Sequence, residues 1–356
     1  MNAGVTYTDC ILIRLIDLED DGMPKSKSAN AVLFGFDFQV NAAIVLMLEN
    51  IKELDSLRLE GKEDIELALT DGTEILAQAK AVENSSQDFK HVRENLKKAL
   101  ISLSEGAGKC NAKELILITN SPNPLNDEKT MSIFYGTAHR RFDSLPDSAK
   151  NLIRDYLSEI NEPLGPEKFK IQILPFETDD EKERYKVVAY EVDQFINTLR
   201  LSIPGISSEL MEVWQDSIFH NGSKKKEELV LKKKDIIWPI LVIATDVERC
   251  DTSFREEFDS GLYNEIAHNY KSIIDSCCER YEFFIKILSD YRNFSCDKKE
   301  KDKSRFFALT QWENYVDEFQ SYSMDEETQK GLIQIILYQI VTNRIMINHI
   351  KQEVQL

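Results

Sequence analysis

Between residues 31 and 120 the spacing of apolar residues changes twice, and that change restricts what the chain can fold into. Residues 31–50 (AVLFGFDFQVNAAIVLMLEN) form one apolar run of helix length that closes on Glu49 and Asn50. From Leu57 the period becomes two, through LRLE, EDIELALT and ILAQAKA, with Asp71-Gly72 between the last two as a hairpin signal. Lys90 to Leu103 returns to the spacing of an amphipathic helix, and Glu114 to Thr119 (ELILIT) reads as a buried strand closed by NSPNP. The order helix, three strands, helix, strand predicts an α/β core. After a polar, Pro-containing stretch, Phe169 to Pro175 predicts one more strand and Val187 to Leu199 a helix that ends the domain near Ile203-Pro204-Gly205.

A chain of 356 residues exceeds the usual size of one domain, so a second is expected beyond that boundary. There the pattern is mainly helical, over Ser208–Phe219, Ser253–Arg292, Arg305–Tyr322 and Glu326–Gln352. The expected division is therefore an α/β domain over 1–205 and an all-α domain over 206–356. Hydrophobic residues at 42% and charged residues at 30% are those of a folded globular chain. The apolar runs Ile236–Ala244 and Leu332–Val341 fall well short of the roughly 20 residues that cross a bilayer, and Met1 to Asp20 is acidic, so we expect a cytoplasmic protein. The six cysteines, at 10, 110, 250, 277, 278 and 296, form no metal-binding spacing and are expected as free thiols in a reducing compartment.

Chemistry concentrates in the period-two segments. Glu60, Glu63, Asp64 and Glu66 crowd one strand entrance, and Gln78-Ala79-Lys80 lies on the next strand. Carboxylates that hold a divalent ion, facing a strand with Gln/Glu-x-Lys, form an arrangement suited to phosphodiester hydrolysis. Register narrows the choice of acid. Pairing Ile65, Leu67 and Leu69 with Ala79, Ala77 and Ile75 across a three-residue loop gives a fully apolar face, and it sets Asp64 opposite Lys80 and Glu66 opposite Gln78. Asp64, not Glu63, is then the expected metal ligand. Gln78 can contribute only a carbonyl oxygen, and Glu60 shares the parity of Asp64 if Gly61 does not redirect the strand. Lys80 supplies the compact positive charge that orients water or stabilises phosphate. Glu49, at the end of the first helix, is a further candidate to approach the ion.

GFDFQ (35–39), LEGKEDIEL (59–67), ILAQAKA (75–81) and ELILITN together resemble the Mrr-related PD-(D/E)xK nuclease domain of CBASS-associated double-stranded DNA endonucleases and of the nuclease subunit of Lamassu-type antiphage systems. The resemblance covers roughly residues 30–205 and implies a restriction-endonuclease-like fold. It implies catalytic roles for Asp64, Gln78 and Lys80, with Glu60 as the preceding acid and Gln39 as the supporting residue of the first helix. Mg²⁺ or Mn²⁺ is the implied cofactor and double-stranded DNA the implied substrate. The helical second half looks like the tails by which such effectors join SMC- or ABC-type ATPases and accessory subunits, and it implies a homo-oligomer in the active state. Gln in place of Glu in the third motif is a departure, and it takes one negative charge from the site.

A net charge of −18 opposes unaided capture of nucleic acid. The densest basic segment, Lys224, Lys225, Lys226, Lys232, Lys233 and Lys234, is either a solvated loop or a track for the DNA backbone. His139, Arg140 and Arg141 are expected at the surface. The aromatic residues of the second half, among them Phe254, Tyr263, Phe283 and Phe284, recur at helical spacing and are expected in a core. No GxxxxGK[ST] loop is present. Two rivals to a nuclease remain, a nuclease-fold adaptor without activity and a nuclease gated by a bound nucleotide.

Overall fold

The computed structural model describes residues 27–85, 87, 89–177, 179–224, 230–247, 250–276, 280–319 and 325–356. Lys225, Lys226, Cys10, Cys277, Cys278 and the segment 1–20 lie outside the described residues.

The chain is an α/β protein built around a mixed seven-stranded sheet. Helix α1 (Lys27–Glu49) leads into β1 (Leu54–Leu59), β2 (Ile65–Leu69) and β3 (Glu74–Lys80), then α2 (Val92–Ala107) and β4 (Ala112–Thr119). β5 (His139–Arg141), α3 (Asp147–Ser158), β6 (Phe169–Ile173) and α4 (Glu181–Thr198) follow. Helix α5 (Ile206–Gly222) and the two-residue β7 (Leu231–Lys232) complete this part of the chain. Strand order is β5-β6-β4-β3-β2-β1-β7, with β3, β4 and β6 parallel and the other pairings antiparallel.

The two-residue alternation decides what each face of the sheet meets. Leu57, Leu59, Ile65, Leu67, Ile75 and Ala77 share one face, are all buried, and lie on the side where α1 packs against β1 to β3. Leu76, Leu115, Leu117, Ile171 and Ile173 occupy the other face and join the apolar sides of α2 and α3 in one core cluster. A 21-residue stretch of α1, Ala29–Glu49, has the length and mean hydropathy (1.8) of a membrane span, yet 67% of its most apolar window is buried inside the protein. It is a core helix.

The hairpin between β2 and β3 has a three-residue loop, as expected, but two residues out of the expected register. Ile65 pairs with Ala77 and Leu67 with Ile75, so Asp64 is not directly opposite Lys80 and Glu66 lies opposite Leu76. The loop is Thr70-Asp71-Gly72, closed by Leu69 N–H donating to Thr73 O at 2.9 Å. Its last position is left-handed, and Gly72 fills it with φ +81°. The expected register would have put β-branched Thr73 at that position. Because the slip is an even number of residues, parity survives and each side chain keeps its expected face.

The division of the chain also departs from expectation. One unit comprises the residues up to Thr198 together with Ser207–Lys233, and the other Leu199–Ile206 with Lys234–Leu356. The chain leaves the α/β unit and returns to it. Phe219 of α5 meets Phe36 of α1 edge to face at 5.4 Å, Gln215 donates to Asn41 Oδ1 at 2.8 Å, and β7 adds to the β1 edge of the sheet. These contacts bind residues 207–233 to the first unit.

The regular structure described in the second unit is helical, its longer elements being α6 (Lys233–Ala244) beyond its first residue, α7 (Ser260–Ser276), α8 (Arg280–Asn293), α9 (Glu300–Gln311), a 3₁₀ segment (Trp312–Phe319), α10 (Glu326–Thr342) and α11 (Arg344–Val354). From Gly331 to Val341 every residue of α10 is buried, as in a helix surrounded by its own domain. Phe254 stacks on Tyr338 at 3.7 Å, and Phe283 meets Phe319 at 5.6 Å. Phe254, Tyr263, Phe283 and Phe284 are core, as their spacing predicts.

Candidate active site

The turn between β1 and β2 gathers most of the expected site. Glu60 has φ +54°, an unusual conformation for a residue with a side chain, and Glu60 N–H donates to Asp64 O at 3.2 Å. Glu66 folds back beneath this turn, its Oε1 accepting the N–H of Lys62 and, at 3.2 Å, that of Glu63. A Cβ at position 61 would fall on that oxygen, so a side chain there would displace the carboxylate that braces the turn.

Asp64 stands at the mouth of the hairpin. Its Oδ1 accepts from Gln78 Nε2 at 3.1 Å, and its Oδ2 accepts from the Ala79 N–H at 2.9 Å and from Lys80 Nζ at 3.2 Å. The side chains of Asp64 and Lys80 retain 22% and 25% exposure, enough for solvent or a substrate to reach them. From α1, Gln39 Nε2 donates to Glu60 Oε1 at 2.9 Å and to Asp64 O at 2.7 Å. Gln39, Glu60, Asp64, Gln78 and Lys80 thus form one hydrogen-bonded group drawn from α1, the β1–β2 turn and β3.

Sequence reasoning passed over two contributors. Glu63, set aside as a ligand, is buried, accepts from Gln78 Nε2, and accepts from Ser102 Oγ at 2.9 Å. Burial raises its pKa against the opposing effect of those hydrogen bonds. Asn120, buried at the end of β4, accepts the Val82 N–H at 2.8 Å and donates to Val82 O and Phe176 O at 2.9 Å each. It clamps the chain leaving Lys80 to the segment leaving β6. The ELILITN run ends on this residue, so a polar residue closing a buried strand was the available signal.

Other expected residues lie elsewhere. Glu49 is at the far end of α1, where its Oε1 accepts from Gln172 Nε2 at 2.8 Å and lies 3.6 Å from His139 Nε2. Burial pushes its pKa up to about 7, with Lys170 and the Gln172 hydrogen bond opposing. Arg141 and Lys170 both pair with Glu114, at 2.7 and 3.3 Å, and Arg140 donates to Ile133 O at 2.7 Å. The four described lysines of the basic segment lie in different settings. Lys233 is buried and donates to Lys52 O at 2.8 Å, and burial lowers its pKa. Lys234 belongs to the other unit and pairs with Glu282, its Nζ 5.2 Å from the centre of the Tyr281 ring. Lys232 sits on β7 and Lys224 follows α5, both exposed.

Among the described residues no three His, Cys, Asp or Glu side chains group closely enough to hold an ion by themselves. The donors at the Asp64 cluster are all oxygen: the Asp64 and Glu60 carboxylates and the Gln78 carbonyl. Such a set fits Mg²⁺, which keeps several of its waters and needs only one or two protein carboxylates. No family model matches the chain, and neither a curated protein nor a solved structure does.

Proposed function

We propose that the chain is a metal-dependent endonuclease of double-stranded DNA, with a restriction-endonuclease-like α/β unit. We further infer that it acts in the cytoplasm as the effector of an antiphage complex with an SMC- or ABC-type ATPase and an accessory subunit. The observation that carries the catalytic reading is the convergence of Asp64, Gln78 and Lys80 at the end of one hairpin, with Gln39 of α1 bonded to both Glu60 and Asp64. A plain surface ion pair is the alternative, worth under about 1 kcal/mol. Against it stands the second layer. A solvated pair needs neither Gln78, only 6% exposed, nor a helix residue that ties two acidic residues together.

Asp64, Glu60 and the Gln78 carbonyl oxygen are the groups that would hold the ion. When bound, Mg²⁺ supplies a Lewis acid for the scissile phosphate and an acidified water. Lys80 keeps its ammonium within hydrogen-bond distance of Asp64 Oδ2, where it can donate to a phosphate oxygen or orient the attacking water. Gln39 fixes the turn that carries both acids. Supercoiled plasmid incubated with the protein and Mg²⁺ should be nicked and linearised, with loss of cutting in chelator and in Lys80→Ala. A wild-type protein that binds DNA yet never cuts it under any divalent ion would point to an inactive adaptor instead.

A further inference from the structure

Position 78 carries Gln where the resemblance implies an acid, and its surroundings bear on that difference. Gln78 is 6% exposed and Glu63 4%. The amide nitrogen of Gln78 donates to Glu63 Oε2 and, at 3.1 Å, to Asp64 Oδ1. Both neighbours are carboxylate oxygens, which accept hydrogen bonds and offer none when ionised. Reversing the amide would set its carbonyl oxygen against two acceptors, so the orientation follows from the neighbours. Both amide hydrogens are thereby used, and the carbonyl oxygen is the end left for a cation or water. Glu63 is itself held from behind by Ser102 of α2, whose hydroxyl lies 2.9 Å from Oε2 and 3.2 Å from Oε1.

We propose that Glu63 is a positioning residue that fixes the Gln78 amide with its carbonyl oxygen toward the site, and that this pairing is why position 78 carries an amide and not a carboxylate. The statement about the site rests on the nuclease reading, whereas the pairing does not. A carboxylate at 78 would replace the shared donor by a third acceptor among Glu63 and Asp64, and only proton uptake or a cation could relieve it. Exchanging the two groups, with an amide at 63 and a carboxylate at 78, restores one donor between them.

The test is a double-mutant cycle of Gln78→Glu and Glu63→Gln, read first by thermal unfolding without divalent ions and then by cleavage across a Mg²⁺ titration. Gln78→Glu alone should lower Tm by roughly 5 °C or more, and adding Glu63→Gln should recover most of that loss. If Gln78→Glu alone does not fold, recovery of a folded chain in the double variant is the same result. Single losses that simply add, or a Gln78→Glu chain as stable as wild type, overturn the pairing. In the cleavage arm, Glu63→Ala should raise the Mg²⁺ concentration giving half-maximal rate at least several-fold, while Glu63→Gln, which keeps an acceptor for Gln78, stays near wild type. Unchanged Mg²⁺ dependence in Glu63→Ala overturns the positioning role. Recovery of stability in a protein that never cuts DNA leaves the pairing standing and removes the nuclease reading. Cutting by wild type without recovery of stability does the reverse.

Discussion

Asp64 and Lys80 each keep about a quarter of their side-chain surface exposed, and the parity of β3 sets Lys80 on the sheet face away from α1. Replacing either by Ala should therefore remove cutting by a factor on the order of 100 or more while leaving the chain folded, with Asp64→Ala, which strips the Ala79 N–H of its acceptor, costing roughly 1–3 kcal/mol and Lys80→Ala less. Plasmid cleavage beside circular dichroism and urea unfolding decides this, and wild-type cutting by either variant removes the assignment. Glu49 predicts a pH effect of opposite character. Its pKa rises from 4.5 to about 7, so the folded chain holds a proton that the unfolded chain releases between those values. Stability from this residue is therefore greatest below pH 4.5 and declines as pH rises through about 7. Glu49→Gln should flatten that decline, gaining about 1–3 kcal/mol relative to wild type at pH 8 and much less at pH 5. Urea midpoints at the two pH values measure it, and an equal change at both would place the cause elsewhere. Asp64, Gln78 and Lys80 were legible from the sequence because a parity argument needs only the period of the strands. Glu63 was not, because its burial depends on a five-residue turn and on a serine 39 residues away in α2.

At the scale of elements, the hairpin separates what periodicity can and cannot specify. Alternation of apolar residues specified the faces of β2 and β3, while the register followed from a single dihedral preference, the left-handed position that Gly72 accepts and Thr73 does not. Gly72→Val should consequently destabilise the protein by about 1–2 kcal/mol although nothing lies within 4 Å of the place its Cβ would occupy. Urea unfolding against Asp71→Ala, which removes only the acceptor for Thr73, separates backbone strain from loss of a side-chain hydrogen bond. A neutral Gly72→Val would mean that the loop can shift to the alternative register at no cost. Most of the longer elements were visible in the sequence: α1, α2, α4, α5, β1 to β4, β6 and the helical pattern from α7 to α11, whereas α3 and α6, each 12 residues long, were not. β5 and β7, three and two residues long, were not. Pairing with a neighbour defines such short strands, and no periodic signal fits in so few residues. The lysine segment shows the same limit. Six lysines within eleven residues read as one surface, yet Lys233 is buried and Lys234 belongs to the other unit.

For the molecule as a whole, the boundary near residue 205 was marked by Pro204-Gly205, a true break in the backbone but not the place where the chain leaves the α/β unit for good. What joins Ser207–Lys233 to that unit is tertiary: the α5 contacts and the edge pairing of β7, neither of which has a local signature. A net charge of −18 then bears on how a nuclease of this kind would meet DNA. Long-range repulsion lowers the encounter rate of a single copy with a duplex, and within the basic segment Lys233 is buried and Lys234 paired with Glu282. Assembly changes the balance. Several copies on one duplex raise the local concentration of active sites and let two of them address opposite strands. We therefore expect the monomer to cut slowly and an oligomeric fraction to cut faster per active site. Size-exclusion fractions compared at matched active-site concentration, with Lys80→Ala as the blank, measure this directly. A monomer that cuts as fast as the assembly would mean that assembly does not control cutting and that the helical unit serves another purpose.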